Sequence, residues 1–135
     1  MEVRLAINSE GSIIRKLAEY STLPQEFKDV LDWDDIYPYW LVAENGAGII
    51  GCIQVCPGKP VGRVENLSID PTASGQMRAK ALKMLVDEGL NTLRQMGSTA
   101  SSSMVLFENK AAKRVFKRHF GGKVTASGNI IMKAL

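Results

Sequence analysis

Two spacings of apolar residues divide this chain into elements. Val3, Leu5 and Ile7 alternate with polar neighbours, the period of a strand, whereas Ile13, Ile14, Leu17 and Ala18 recur at helical spacing. Asn8 or Ser9 would cap that helix. Pro24 suits the first turn of a second short helix carrying Phe27, Val30 and Leu31. Residues 39–43 and 48–55 read as strands joined by Glu44-Asn45-Gly46-Ala47, whose Asn-Gly pair signals a hairpin. Pro57-Gly58-Lys59-Pro60 is a turn into a strand over 63–69, read as regularly alternating.

Ala81, Leu82, Leu85, Val86, Leu90, Leu93 and Met96 then predict a long helix from about Gln76 to Met96, closed by Gly97. Residues 103–107 read as a strand. Asn109 would cap a helix with the stripe Ala112, Val115, Phe116 and Phe120, stopped by Gly121-Gly122, and strand pattern returns at Val124 and at 130–132. The order β-α-α-β-β-β-α-β-α-β predicts an α/β (α+β) domain with a mixed, mostly antiparallel sheet flanked by helices on both faces.

A length of 135 residues, 45% hydrophobic and 23% charged, fits one globular domain over 1–135 with a real core. The start has no basic segment followed by an apolar run, so no secretory signal is expected. The most apolar stretch, 47–56, is too short for a membrane span, and no membrane partner is expected. Cys52 and Cys56, four apart on one strand, would lie roughly 13 Å apart, beyond disulfide reach. They read as reduced core cysteines of a cytoplasmic protein, and with the lone His119 they are too few to hold a metal.

Charge changes the picture more. Residues 1–70 hold 6 basic and 11 acidic side chains, net −5, and residues 71–135 hold 11 and 3, net +8. The basic half contains Ser74 to Ala79, a polar loop between a strand and a helix N-terminus. Unpaired N–H groups and the helix dipole make such a place suited to phosphate. Lys110, Lys113, Arg114, Lys117 and Arg118 add five cations on one later helix, suited to a phosphate or a phosphodiester backbone.

Tyr39-Trp40-Leu41-Val42-Ala43-Glu44, Ile49-Ile50-Gly51-Cys52 and Val64-Glu65-Asn66-Leu67-Ser68-Ile69-Asp70-Pro71 resemble successive segments of the GNAT (N-acetyltransferase) superfamily. Its acyl-CoA loop, Arg/Gln-x-x-Gly-x-Gly/Ala, is represented by Ser74-Gly75-Gln76-Met77-Arg78-Ala79. Its later-helix pattern, Asn-x-x-Ala-x-x-x-Tyr, is similar to Asn109-Lys110-Ala111-Ala112-Lys113-Arg114-Val115-Phe116. The resemblance implies that Leu67, Ser68 and Ile69 offer backbone to the pantetheine arm and that the amides of 74–79 cradle the pyrophosphate. It also implies that Asn109, Ala112 and Phe116 flank the arm's other side, the arm entering between the strand end at Ile69 and a strand near Val105. Ser74 stands for the usual Arg or Gln, Met77 for the central Gly, and Phe116 for the Tyr that in many relatives protonates the thiolate.

That chemistry needs a base for the amine, a donor for the carbonyl oxygen and an exit for the thiolate. Glu65 is the expected base, and a backbone N–H near Ser68 or Ile69 the expected donor. Tyr37, Tyr39 and His119 are the remaining acids, His119 reading as a surface helix residue. Met77 either packs against the helix or crowds the loop. The expected function is acetyl-CoA-dependent transfer to a primary amine of unspecified identity in a ternary complex, without metal. The acidic group Asp32, Asp34, Asp35 and Glu44 would attract a cationic acceptor. An impaired GNAT-fold binding protein comes second, on Ser74, Met77 and Phe116. A nucleic-acid-associated protein comes last, because the basic region has few aromatic residues for stacking. A homodimer stays open.

Overall fold

The computed structural model describes residues 1–20, 25, 39–103 and 110–123. In chain order these form β1 (Glu2–Leu5), a 3₁₀ turn (Asn8–Glu10), α1 (Gly11–Ala18), β2 (Trp40–Asn45) and β3 (Gly48–Cys56). There follow β4 (Val61–Ile69), α2 (Gly75–Gln95), β5 (Ala100–Ser102) and α3 (Lys110–Phe120). The five strands lie in the order β1-β2-β3-β4-β5. All pairings are antiparallel except β4–β5, where Val61–Arg63 runs parallel to Ala100–Ser102. A parallel pair needs a long crossover, and α2 supplies it.

The sheet is apolar on both faces, and each face has its own helices. On one, Leu41, Ala43, Ile53, Val55 and Val64 meet Ala81, Leu85, Val86 and Leu93 of α2, with Phe116 and Phe120 of α3 packed at the margin. On the other, Trp40, Val42 and Cys52 meet Ala6 and Ile14, Leu17 and Ala18 of α1. The mixed, mostly antiparallel sheet with helices on both faces therefore stands as the sequence predicts.

Local details differ. Asn8 and Ser9 lie within the 3₁₀ turn and make no side-chain cap. Instead Glu10, 8% exposed, accepts the Ile7 N–H at 2.8 Å and the Arg4 guanidinium at 2.7 and 3.1 Å. Ile13 faces solvent, because the inner stripe of α1 is Ile14, Leu17 and Ala18. The first hairpin turns on Gly46-Ala47, one residue later than the Asn-Gly pair suggests, with Asn45 Oδ1 accepting the Ala47 N–H at 2.9 Å. β5 is assigned at Ala100–Ser102, and of the expected strand over 103–107 the residues 104–107 lie outside the described residues. Cys52 is buried in the α1-side core and Cys56 only half-buried, and both thiols are free. Burial pushes the Cys52 thiol up to about 12. The expected Pro24 helix, the acidic residues 32, 34 and 35, Tyr37, Val105, Asn109, Val124 and 130–132 lie outside the described residues.

Candidate active site

β4 carries the site because it is not a regular strand. Gln54 pairs with Glu65 and Cys52 with Ser68, so Asn66 and Leu67 together oppose Ile53. This is a β-bulge, and it corrects the expectation of regular alternation. Asn66 sits at φ 51, the left-handed region that asparagine tolerates better than most residues. One extra residue exchanges the two faces. Val64, Leu67 and Ile69 all join the α2-side core. The parity of the strand then puts Glu65 and Ser68 on the α1 side. The sequence contains the signal, since the apolar positions run 64, 67, 69 and skip one residue.

The α1-side polar groups of β3 and β4 are linked. Asn66 Nδ2 donates to Gln54 Oε1 at 2.8 Å. The Glu65 carboxylate accepts Arg63 Nε at 2.9 Å and the Cys56 thiol at 3.9 Å. Burial and the neighbouring Glu65 charge raise the Cys56 thiol above its ordinary value. Ser68 is 3% exposed, and its Oγ has no hydrogen-bond partner among the described residues.

Beyond β4 the chain turns tightly into α2. Asp70 N–H donates to Ile50 O at 2.8 Å, and Asp70 Oδ1 accepts the Thr72 N–H and hydroxyl at 2.8 and 2.7 Å. The Thr72 hydroxyl, then its N–H, holds the Asp70 carboxyl below the usual range. Ser74 is the N-cap, its Oγ accepting the Met77 N–H at 3.3 Å and its carbonyl the Arg78 N–H at 2.9 Å. Gly75 and Gln76 are exposed at the first turn, and beyond the adjoining residues and the helix backbone no heavy atom of the described residues lies within 4 Å of where a Cβ on Gly75 would stand. Their N–H groups have no intrahelical acceptor, so the helix end can take an anion.

A sequence profile described as the acetyltransferase (GNAT) family matches residues 11–121. The chain belongs to this family. Comparison with curated proteins gave no match. Among solved structures, the chain is similar to aminoglycoside N-acetyltransferase AAC(6')-Iy bound to the bisubstrate analog CoA-S-monomethyl-acetylneamine, with TM-score 0.74 and 17% identity over 99% of this chain and 98% of that one. It is also similar to Rv2747 from Mycobacterium tuberculosis in complex with CoA, with TM-score 0.66 and 20% identity over 84% and 69% of the two chains. A third is the ribosomal-protein-alanine N-acetyltransferase of Brucella melitensis biovar Abortus 2308, with TM-score 0.68 and 14% identity over 98% and 100%. At these identities the likeness concerns the fold.

In this acetyltransferase the expected site residues divide as follows. Glu65, Leu67, Ser68 and Ile69 come together at the bulge, and Ser74, Gly75, Gln76, Met77, Arg78 and Ala79 form the cap and first turn of α2. Met77 is half-buried against the α2-side core, while Arg78 and Ala79 are exposed. Ala112 and Phe116 are half-buried on α3, and the Phe116 ring lies 6.3 Å from that of Phe120. His119 is exposed. Asn66, Gln54 and Arg63 were not anticipated. Among the described residues, no group of three or more His, Cys, Asp or Glu is placed to hold a metal ion, and no helix is long and apolar enough to cross a membrane.

Proposed function

We propose that the protein transfers acetyl from acetyl-CoA to a primary amine by direct attack in a ternary complex, with Glu65 as the base, directly or through a water. Family membership supports acetyltransfer, and the CoA held by two of the solved relatives supports the donor. The observation that carries the reading is the bulge. It puts a carboxylate on the α1 side while the next apolar residues anchor β4 to the opposite core, one tight loop before an open helix N-terminus.

The residues present fit the donor. Gly75 leaves room for phosphate to approach the backbone, Gln76 adds a free amide and Arg78 adds charge. The backbone beyond the bulge, near Ser68 and Ile69, would hold the thioester carbonyl, and Ala112 and Phe116 would flank the arm. Glu65 gives up its bond to Arg63 when a substrate ammonium takes that place and then accepts the proton. Phe116 has no hydroxyl, so the thiolate leaves to water and turnover is slow. Two reduced thiols support a cytoplasmic setting, and the single domain spans 1–135. The acceptor is a small amine or a protein amine, as in the aminoglycoside and ribosomal-protein enzymes of similar fold.

A second reading is a GNAT-fold protein that keeps CoA weakly or not at all and acts through its surface as a binding module. The Ser74–Met77 cap favours it, because it occupies an amide of the phosphate cradle. Calorimetric titration with acetyl-CoA and CoA, followed by CoA-release assays over a panel of amines, separates the two. Saturable binding with turnover supports the enzyme; binding without turnover, or no binding at millimolar ligand, refutes the enzyme and selects the second reading.

A further inference from the structure

The bulge in β4 is held by a side-chain pair on two strands. Asn66 Nδ2 donates to Gln54 Oε1 at 2.8 Å, and both residues are partly buried. Gln54 is also the strand partner of Glu65. The bond therefore joins the residue facing Glu65 across the ladder to the residue following it in sequence. Register alone does not protect this point, because a slip of one residue would return Glu65 to the α2-side core face. Asn66 serves twice. Its backbone takes the left-handed conformation at φ 51, and its amide reaches the neighbouring strand. Glycine would supply only the first of these, and alanine neither.

We infer that Asn66 and Gln54 form a clasp that positions Glu65 and the backbone from Leu67 to Ser68 for the transfer reaction. The inference rests on the function proposed above. Neither residue is a catalytic residue: they act through the bulge. The clasp keeps the carboxylate on the acceptor side and the following amides on the thioester side, at fixed separation. It supports kcat more than donor affinity, because the α2 cap and loop proposed for the phosphates lie beyond it and only the backbone near Ser68 meets the thioester.

The test uses the full chain with Gln54→Met, which breaks the clasp without a backbone demand, and Gln54→Glu, which restores an acceptor for Asn66 Nδ2. Asn66→Gly is the second single variant, and Asn66→Gly with Gln54→Met completes the cycle. Amide hydrogen exchange at residues 65–68 is read by NMR, with turnover and melting temperature. Gln54→Met should raise exchange at 65–68 at least tenfold while amides of α2 keep their rates. It should lower kcat about tenfold with KM for acetyl-CoA within twofold, and Gln54→Glu should recover the slow exchange but not kcat, because it sets a second carboxylate opposite Glu65. The double variant should be no worse than the worse single variant. Unchanged exchange at 65–68 in both Gln54→Met and Asn66→Gly overturns the clasp, whether or not the wild type turns over. Faster exchange with kcat within twofold of wild type overturns its positioning role. Absence of wild-type turnover refutes the proposed reaction instead, and exchange then decides the clasp alone.

Discussion

The Ser74 hydroxyl accepts the backbone N–H of Met77 at 3.3 Å. The residue standing where the family pattern has arginine or glutamine thus caps its own helix and occupies one of the amides proposed to cradle phosphate. Replacing Ser74 with alanine should remove the cap at a cost of about 1 kcal/mol, or roughly 3 °C in Tm for a chain of this size. Ser74→Arg should lose the same cap yet add a charged donor, lowering the Kd for CoA by roughly tenfold. Thermal melts and calorimetry check both, and unchanged CoA affinity in Ser74→Arg would show that the side chain does not reach the phosphates.

Met77 occupies the family's central glycine position, and its side chain packs against the α2-side core. Packing is the contact the structure shows for it. Met77→Gly should lose that contact and incur the glycine penalty in a helix, together about 2 kcal/mol or roughly 7 °C in Tm. CoA affinity should stay equal or fall. A tighter complex by calorimetry would return Met77 to the crowding role.

Gly62 shows why β4 begins as it does. A Cβ there would stand 2.5 Å from Leu93 Cδ2 and 2.7 Å from Ser98 Oγ, the hydroxyl that donates to Gly58 O at 2.6 Å. Leu93 is 1% exposed and has little room to retreat. Gly62→Ala should therefore destabilise by about 1–3 kcal/mol through overpacking. Chemical denaturation should show a lower midpoint with unchanged slope.

The longer helices were legible because each buries one face, and β2 and β3 because their apolar runs, buried on both faces, end at turn residues. β3 and α2 carry unbroken apolar patterns, and their bounds fall within a residue or so of the sequence reading. The bulge was less legible, since reading 63–69 as plain alternation ignores that Val64, Leu67 and Ile69 are out of step. No sequence rule pairs Asn66 with Gln54, because cross-strand partners follow from register, and register here depends on the bulge. The Asn8–Glu10 turn misled for another reason. Glu10 takes over the capping there because Arg4, six residues earlier, draws its carboxylate inward.

Arg4 ties β1 to β2 and to the start of α1, bonding Glu10 and Glu44 at 2.7 Å each. Hydrogen bonds from Arg4 hold both carboxyls below their ordinary values. Because folding lowers these values, the unfolded chain binds more protons, and stability rises with pH through the carboxylate range. The contribution is fully present above about pH 5, just above the unfolded carboxyl value, and is lost as pH falls through the folded values. Arg4→Met should lower Tm at pH 7, and its gap from wild type should narrow steadily below about pH 4. A gap independent of pH in melts from pH 7 to pH 3 would show that Arg4 contributes only through packing.

Glu65 provides the most direct test of the chemistry. Its carboxylate is half-buried and bonded to Arg63, so glutamine can keep the shape and still accept from Arg63 Nε. The amide cannot take a proton from an ammonium. Glu65→Gln should reduce kcat by roughly 10²–10⁴, the usual contribution of a positioned base. The Kd for acetyl-CoA should hold within about twofold, because the proposed donor contacts are backbone groups near Ser68 and in the α2 loop and none is the Glu65 side chain. Raising the pH should recover part of the lost rate, since more of the acceptor then arrives already deprotonated. Equal turnover in wild type and Glu65→Gln at pH 7 would remove Glu65 from the mechanism and leave deprotonation of the amine to solvent.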